Sequence, residues 1–150
     1  MFQKFNYDTY QFLNLLERVE SDDQYRRLAY IAILTNNYIF LSINDGTIVG
    51  FVIVANVDAY TLCANINFNR YPEYPYEWDE GKILWILDVF IADGHFISDI
   101  RKQLRHLVRD RIVYRHDGDK GVISYNCKKQ KISESCTVET LSNKIDVIRD

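Results

Sequence analysis

The sequence predicts an α+β fold, with a central, mostly antiparallel sheet flanked by helices. Three observations carry that prediction. Residues 8–35 repeat apolar side chains at helical spacing in two segments. Residues 38–57 change to aromatic and β-branched runs on either side of Asn44-Asp45-Gly46-Thr47. Residues 83–92 form an almost continuous apolar run, followed by a basic amphipathic segment. A period of 3.6 and a strand pattern select different secondary structures, so the change marks a boundary between helix and sheet.

Residues 8–20 predict a first helix behind Asp8 as its cap, with Phe12, Leu13, Leu15, Leu16 and Val19 recurring at helical spacing. A second helix starts at residues 21–23, turns Leu28, Ile31 and Leu34 inward, and stops at Asn36-Asn37. Asparagine tolerates the left-handed conformation that ends many helices. Residues 38–43 and 48–57 read as a hairpin, because Asp45-Gly46 accepts the positive φ of a tight turn. Residues 65–81 are polar and aromatic, hold Pro72 and Pro75, and read as a long loop. Its tyrosines Tyr71, Tyr74 and Tyr76, together with Trp78, are expected to serve as interface anchors or as core.

Residues 83–92 predict the most apolar strand, interrupted by Asp88 and broken at Asp93-Gly94. Residues 96–111 predict a basic helix with Ile97, Ile100, Leu104, Leu107 and Val108 inward. Two short strands, 112–114 and 122–125, and a helix over 137–148 complete the chain, the last with Val138, Leu141, Ile145 and Ile148 on one face. This order of elements suits a GNAT-like topology. The turn after the central strand is Ala92-Asp93-Gly94-His95, and one glycine cannot form the usual pyrophosphate cradle, so acetyl-CoA is not supported as a donor.

Composition narrows the function classes. At 150 residues the chain has the size of a single domain and can bury a core without a disulfide or metal staple. The net charge of -3 argues against a nucleic-acid polycation. The charge is uneven, however. Arg101, Lys102, Arg105, Arg109 and Arg111 begin a basic segment that runs to Lys131, a local field suited to an acidic partner or a solvated helix face. Cys63, Cys127 and Cys136 fit no zinc spacing, and their odd number argues against a disulfide framework; Cys63 reads as a core residue. The first ten residues lack a secretory pattern, and no apolar run is long enough to span a bilayer, so a cytoplasmic protein is expected.

No nucleophile elbow, P-loop, His-Glu-x-x-His or Cys-x-x-Cys occurs. Asp88 is the most informative residue, because a carboxylate in an apolar strand is costly unless it is paired, solvated or used. It can orient a histidine, act as a base, or pair with a nearby arginine. His95, just past the same strand, is the candidate base beside it. His106 and His116 have no motif around them and read as surface residues.

The run from Gly81 to Gly94, with Trp85 and Asp88 inside it, resembles the signature of the toxin-activating lysine acyltransferases, the hemolysin-activating proteins of RTX toxin operons. Asn36-Asn37-Tyr38, Ala55-Asn56, Gly121-Val122 and Leu141-Ser142-Asn143-Lys144-Ile145 are similar to further pieces of that family, in the same order. The resemblance implies a cytoplasmic, dimeric enzyme of GNAT-like fold. Such an enzyme moves a fatty acyl group from acyl carrier protein to lysines of a protoxin-like acceptor and binds no cofactor of its own. Asp88 would take the family's catalytic aspartate position. Asn36, Trp85, Arg101 and Arg105 are the candidate substrate-binding residues, with the basic segment as a docking face for the acidic carrier protein. The family's N-terminal His has no counterpart; Ser21-Asp22-Asp23-Gln24 is the nearest match and places Gln24 there. That leaves three readings: His95 substitutes, the chemistry differs, or the chain is a non-enzymatic relative such as an inhibitor or assembly factor.

Overall fold

The computed structural model describes residues 7–17, 22–92, 94, 97–118, 120–133 and 136–150. The elements run α1 (Tyr7–Leu16), α2 (Asp23–Thr35), β1 (Tyr38–Ser42), β2 (Ile48–Val57), α3 (Ala59–Asn67), a 3-10 turn (Pro75–Trp78), β3 (Ile83–Ile91), α4 (Ile97–Val108), β4 (Ile112–Asp117), β5 (Lys120–Tyr125), β6 (Lys128–Ile132) and α5 (Val138–Arg149). The strands form one six-stranded open sheet in sequence order. Every neighbouring pair is antiparallel except β3 and β4, which are parallel and joined through α4.

Local chemistry explains the boundaries. Asp22 caps α2 by accepting from the Tyr25 amide, and Asn36 closes it at φ 59 in the left-handed region. Gly46 takes φ 86 in the β1–β2 turn. Asp58 accepts from the Thr61 amide and starts α3 directly after β2. Thr137 and Thr140 form a reciprocal cap at the start of α5.

The sheet separates two cores. One face carries Phe51, Ile53, Trp85, Leu87, Tyr114 and Ile123, packed under Phe12 of α1, Leu28 and Ala32 of α2, Leu62 of α3, and Leu141 and Ile148 of α5. The other face carries Val49, Val52, Val54, Leu84 and Val113, covered by Ile100, Leu104, Leu107 and Val108 of α4. Gln103 of α4 also bonds the main chain of Ser42 in both directions, its Oε1 accepting from the Ser42 amide at 3.1 Å, which covers part of the β1 edge.

Several sequence expectations are corrected. Helix α1 starts by Tyr7, so Asp8 lies inside it rather than capping it, and Val19 lies outside the described residues. Leu34, expected inward, is exposed because it lies on the side of α2 opposite Leu28, Ala29 and Ala32, and Leu13 and Val138, expected on the apolar faces of α1 and α5, are exposed too. Trp78 is fully buried, with its Nε1 donating to the Pro72 carbonyl at 3.1 Å, so it is core and not an interface anchor. Residues 65–67 belong to α3, a helix the sequence reading did not contain. The expected strand pair after α4 is a three-stranded meander that includes β6.

Candidate functional site

Strand β3 departs from regular pairing at one place. Val54 pairs with Ile86 and the next residue back, Ile53, pairs with Asp88, so Leu87 is an extra residue in a bulge. Leu87 belongs to the same core as Ile53, and Asp88 shares the face of its cross-strand partner Ile53. The bulge therefore delivers a half-buried carboxylate to the side of the sheet covered by α1, α2, α3 and α5.

There Asp88 meets α2. The Tyr25 hydroxyl donates to Asp88 Oδ2 at 2.6 Å. Burial, this hydrogen bond and the Asp88 charge together hold the Tyr25 phenol well above its ordinary titration range, so it stays a proton donor. Tyr71, also half-buried, is shifted upward first by burial and then by the charges of Asp88 and Asp22. Among the described residues no basic side chain forms an ion pair with Asp88. The carboxylate is thus held by a phenol instead of being neutralised by a cation.

Tyr71 also lines a cleft of about 250 Å³ between α2 and residues 70–74. Gln24, Arg27, Leu28, Ile31, Arg70 and Glu73 line it too, a mixture of apolar, cationic and anionic side chains. Arg70 is positioned by Asn65, whose buried amide oxygen accepts from its Nε at 3.2 Å, and by the Phe68 ring, 5.3 Å from the guanidinium carbon. At the rim, Tyr74 and Tyr76 are exposed and stack on each other at 5.6 Å and 10°.

The glycines and Trp of the 81–94 signature have structural reasons of their own. A Cβ at Gly81 would lie 2.2 Å from the Val57 carbonyl carbon, and Gly94 takes φ 88. Trp85 is buried between Tyr71 and Tyr114, at 6.2 and 5.7 Å between ring centroids, and its Nε1 is buried without a hydrogen-bond partner. Asp88 is the signature residue that packing does not explain.

The structure brings only part of the predicted set together. Asp88 and Trp85 share one face. Arg101 and Arg105 are exposed on α4, which covers the opposite face. Asn36 ends α2, about 16 Å along the axis from Tyr25, and serves as its left-handed cap. His95 lies outside the described residues. Gln24 lines the cleft, while the next residue, Tyr25, faces Asp88. Sequence reasoning missed Tyr25, and its only local signal was a tyrosine in the first turn of an amphipathic helix.

The parallel pair adds one more feature. β3 and β4 pair only at Ile83–Ile112, Leu84–Val113 and Trp85–Tyr114. Beyond Trp85 the strand keeps β2 as its sheet neighbour on one side, and among the described residues no strand pairs with the β4 side of residues 86–91. Asp88 lies in this stretch.

No protein-family model matches the chain, and no characterised protein matches it.

Proposed function

We propose that this chain is a lysine acyltransferase of GNAT-like fold, taking a fatty acyl group from acyl carrier protein to lysines of a partner protein. The observation that carries this reading is Asp88, a carboxylate at a bulge in an apolar strand, held by Tyr25 and paired with no cation among the described residues. The 81–94 signature and the opening between β3 and β4 beside Asp88 also support it.

In this reading Asp88 is the general base. The acceptor amine attacks the thioester carbonyl, and Asp88 takes the proton that the nitrogen sheds as the N–C bond forms. The C–S bond then breaks, and the carrier's sulfur leaves as a thiol with the proton that Asp88 gives back. Tyr25 cannot be the base, because its own proton is held too tightly. It fixes the carboxylate, the role a second residue plays in orienting a base. The basic outer side of α4 receives the acidic carrier, and the arm bearing the thioester reaches Asp88 through the gap beside β3.

The test is mass spectrometry of long-chain acyl carrier protein incubated with the wild-type chain and a lysine-containing acceptor. Loss of the acyl group from the carrier, with its mass gained by a lysine, is the expected result. An intact thioester beside a carrier or acceptor that binds stably favours the second reading, a non-enzymatic binding protein on the same scaffold. The exposed Tyr74–Tyr76 stack at the cleft rim is the observation on that side.

A further inference from the structure

Away from Asp88, two thiols are brought together from distant parts of the chain. Cys63 and Asn67 stand one turn apart on α3 and so share a face of that helix. Asn67 holds the main chain of Cys136 from both sides. Its Nδ2 donates to the Cys136 carbonyl at 2.9 Å, and its Oδ1 accepts from the Cys136 amide at 2.7 Å. Cys63 Sγ then lies 2.9 Å from Cys136 Sγ, with both residues buried. The approach is set by backbone clamping that does not involve sulfur. The third cysteine, Cys127, is exposed in the β5–β6 turn.

We propose that Cys63 and Cys136 form a modification site for two-electron oxidants, closing to an intramolecular disulfide that ties α3 to the segment entering α5. The expectation from the odd cysteine number is thereby narrowed: one cysteine is left over, and the other two are placed to pair. With hydrogen peroxide, one sulfur attacks as thiolate, the O–O bond breaks, and a sulfenic acid and hydroxide form. The hydroxide becomes water with the proton the thiol gave up. The second sulfur attacks the sulfenic sulfur, the S–O bond breaks, and a second water leaves with the second thiol proton. Two thiols and one peroxide yield one disulfide and two waters.

The surroundings set the rate. Burial first, and then the hydrogen bond to Cys136, push the Cys63 thiol up to about 12. At neutral pH the Cys63 thiol is therefore protonated and reacts slowly, and closure accelerates as pH rises. Oxidant reaches the sulfurs by local opening of the α3–α5 contact.

The test uses the full chain with Cys127→Ser, which leaves only the two thiols in question. It is treated with hydrogen peroxide at pH 7 and pH 9, then alkylated under denaturing conditions. The expected product is about 2 Da lighter, takes up no alkylating agent, and gives a cross-linked peptide containing Cys63 and Cys136. Its melting temperature rises by roughly 5–10 °C and falls back on reduction. Closure is faster at pH 9, and Asn67→Ala slows it several-fold while keeping both sulfurs. Two alkylatable thiols after exhaustive treatment at pH 9 would overturn the proposal. So would sulfinic or sulfonic products, or cross-links found only between molecules.

Discussion

The Tyr25 hydroxyl donates to Asp88 Oδ2 at 2.6 Å across a separation of 63 residues. One hydrogen bond thus joins the first turn of α2 to the bulge of β3. Tyr25→Phe removes the donor and little else. A bond to a charged acceptor at a partly buried position stabilises by about 1–2 kcal/mol, so the urea midpoint should fall accordingly. Asp88→Asn retains an acceptor oxygen and should cost less than Asp88→Leu. Equal urea midpoints for the wild type and Tyr25→Phe would mean the contact has no weight in solution.

Alkaline stability follows from the same residues. The folded state raises the Tyr25 phenol above its ordinary 10.0 and the Cys63 thiol from 9.0 to about 12. A raised folded value means the unfolded chain loses its proton first. The stabilisation is therefore complete below about pH 9 and is lost as pH rises through the 9–12 window and beyond. Urea midpoints at pH 8, 10 and 11 should decline. The decline should be shallower in Cys63→Ser from about pH 9 and in Tyr25→Phe from about pH 10. Parallel curves for all three proteins would contradict the assignment.

Leu28 and Leu34 test the packing of α2 directly. Leu28 is 4% exposed and Leu34 is 61% exposed. Leu28→Ala should cost about 2–4 kcal/mol in unfolding free energy, whereas Leu34→Ala should stay within about 0.5 kcal/mol. Comparable losses at both positions would show that α2 is rotated from the orientation described.

Tyr74 and Tyr76 are exposed and stack on each other. The double change to Ala should leave the melting temperature within about 2 °C of wild type. It should weaken binding of the acceptor protein by about 10-fold or more if the rim is where that partner sits. Unchanged affinity, measured calorimetrically, would remove the rim from the binding surface.

The elements with strong local signals were legible. α2 has its Asp22 cap and its Asn36 stop, the β1–β2 hairpin has Asp45-Gly46, and β3 has an apolar run interrupted only by Asp88. α3 was not, because Tyr60, Thr61, Cys63 and Ile66 are weak helix formers and the start signal, Asp58, sits at the end of a long strand. β6 was hidden by its own chemistry: Lys128, Lys129 and Lys131 suit an edge strand that resists pairing with other chains. Its turn uses Asn126 and Cys127, both at positive φ, where Gly is the usual second residue. In the site, Asp88 was legible as a charge in an apolar strand. Tyr25 was not, since no periodicity or spacing connects residues that meet only after the sheet and α2 pack.

The central claim is that Asp88 carries chemistry, and the most direct measurement is the rate of acyl transfer by Asp88→Asn against wild type. Circular dichroism and a melting curve would show both proteins folded. The account predicts a loss of at least about 100-fold in the variant, the range for removing a general base, with the fold retained. Acyl transfer at the wild-type rate by a folded Asp88→Asn protein would contradict it.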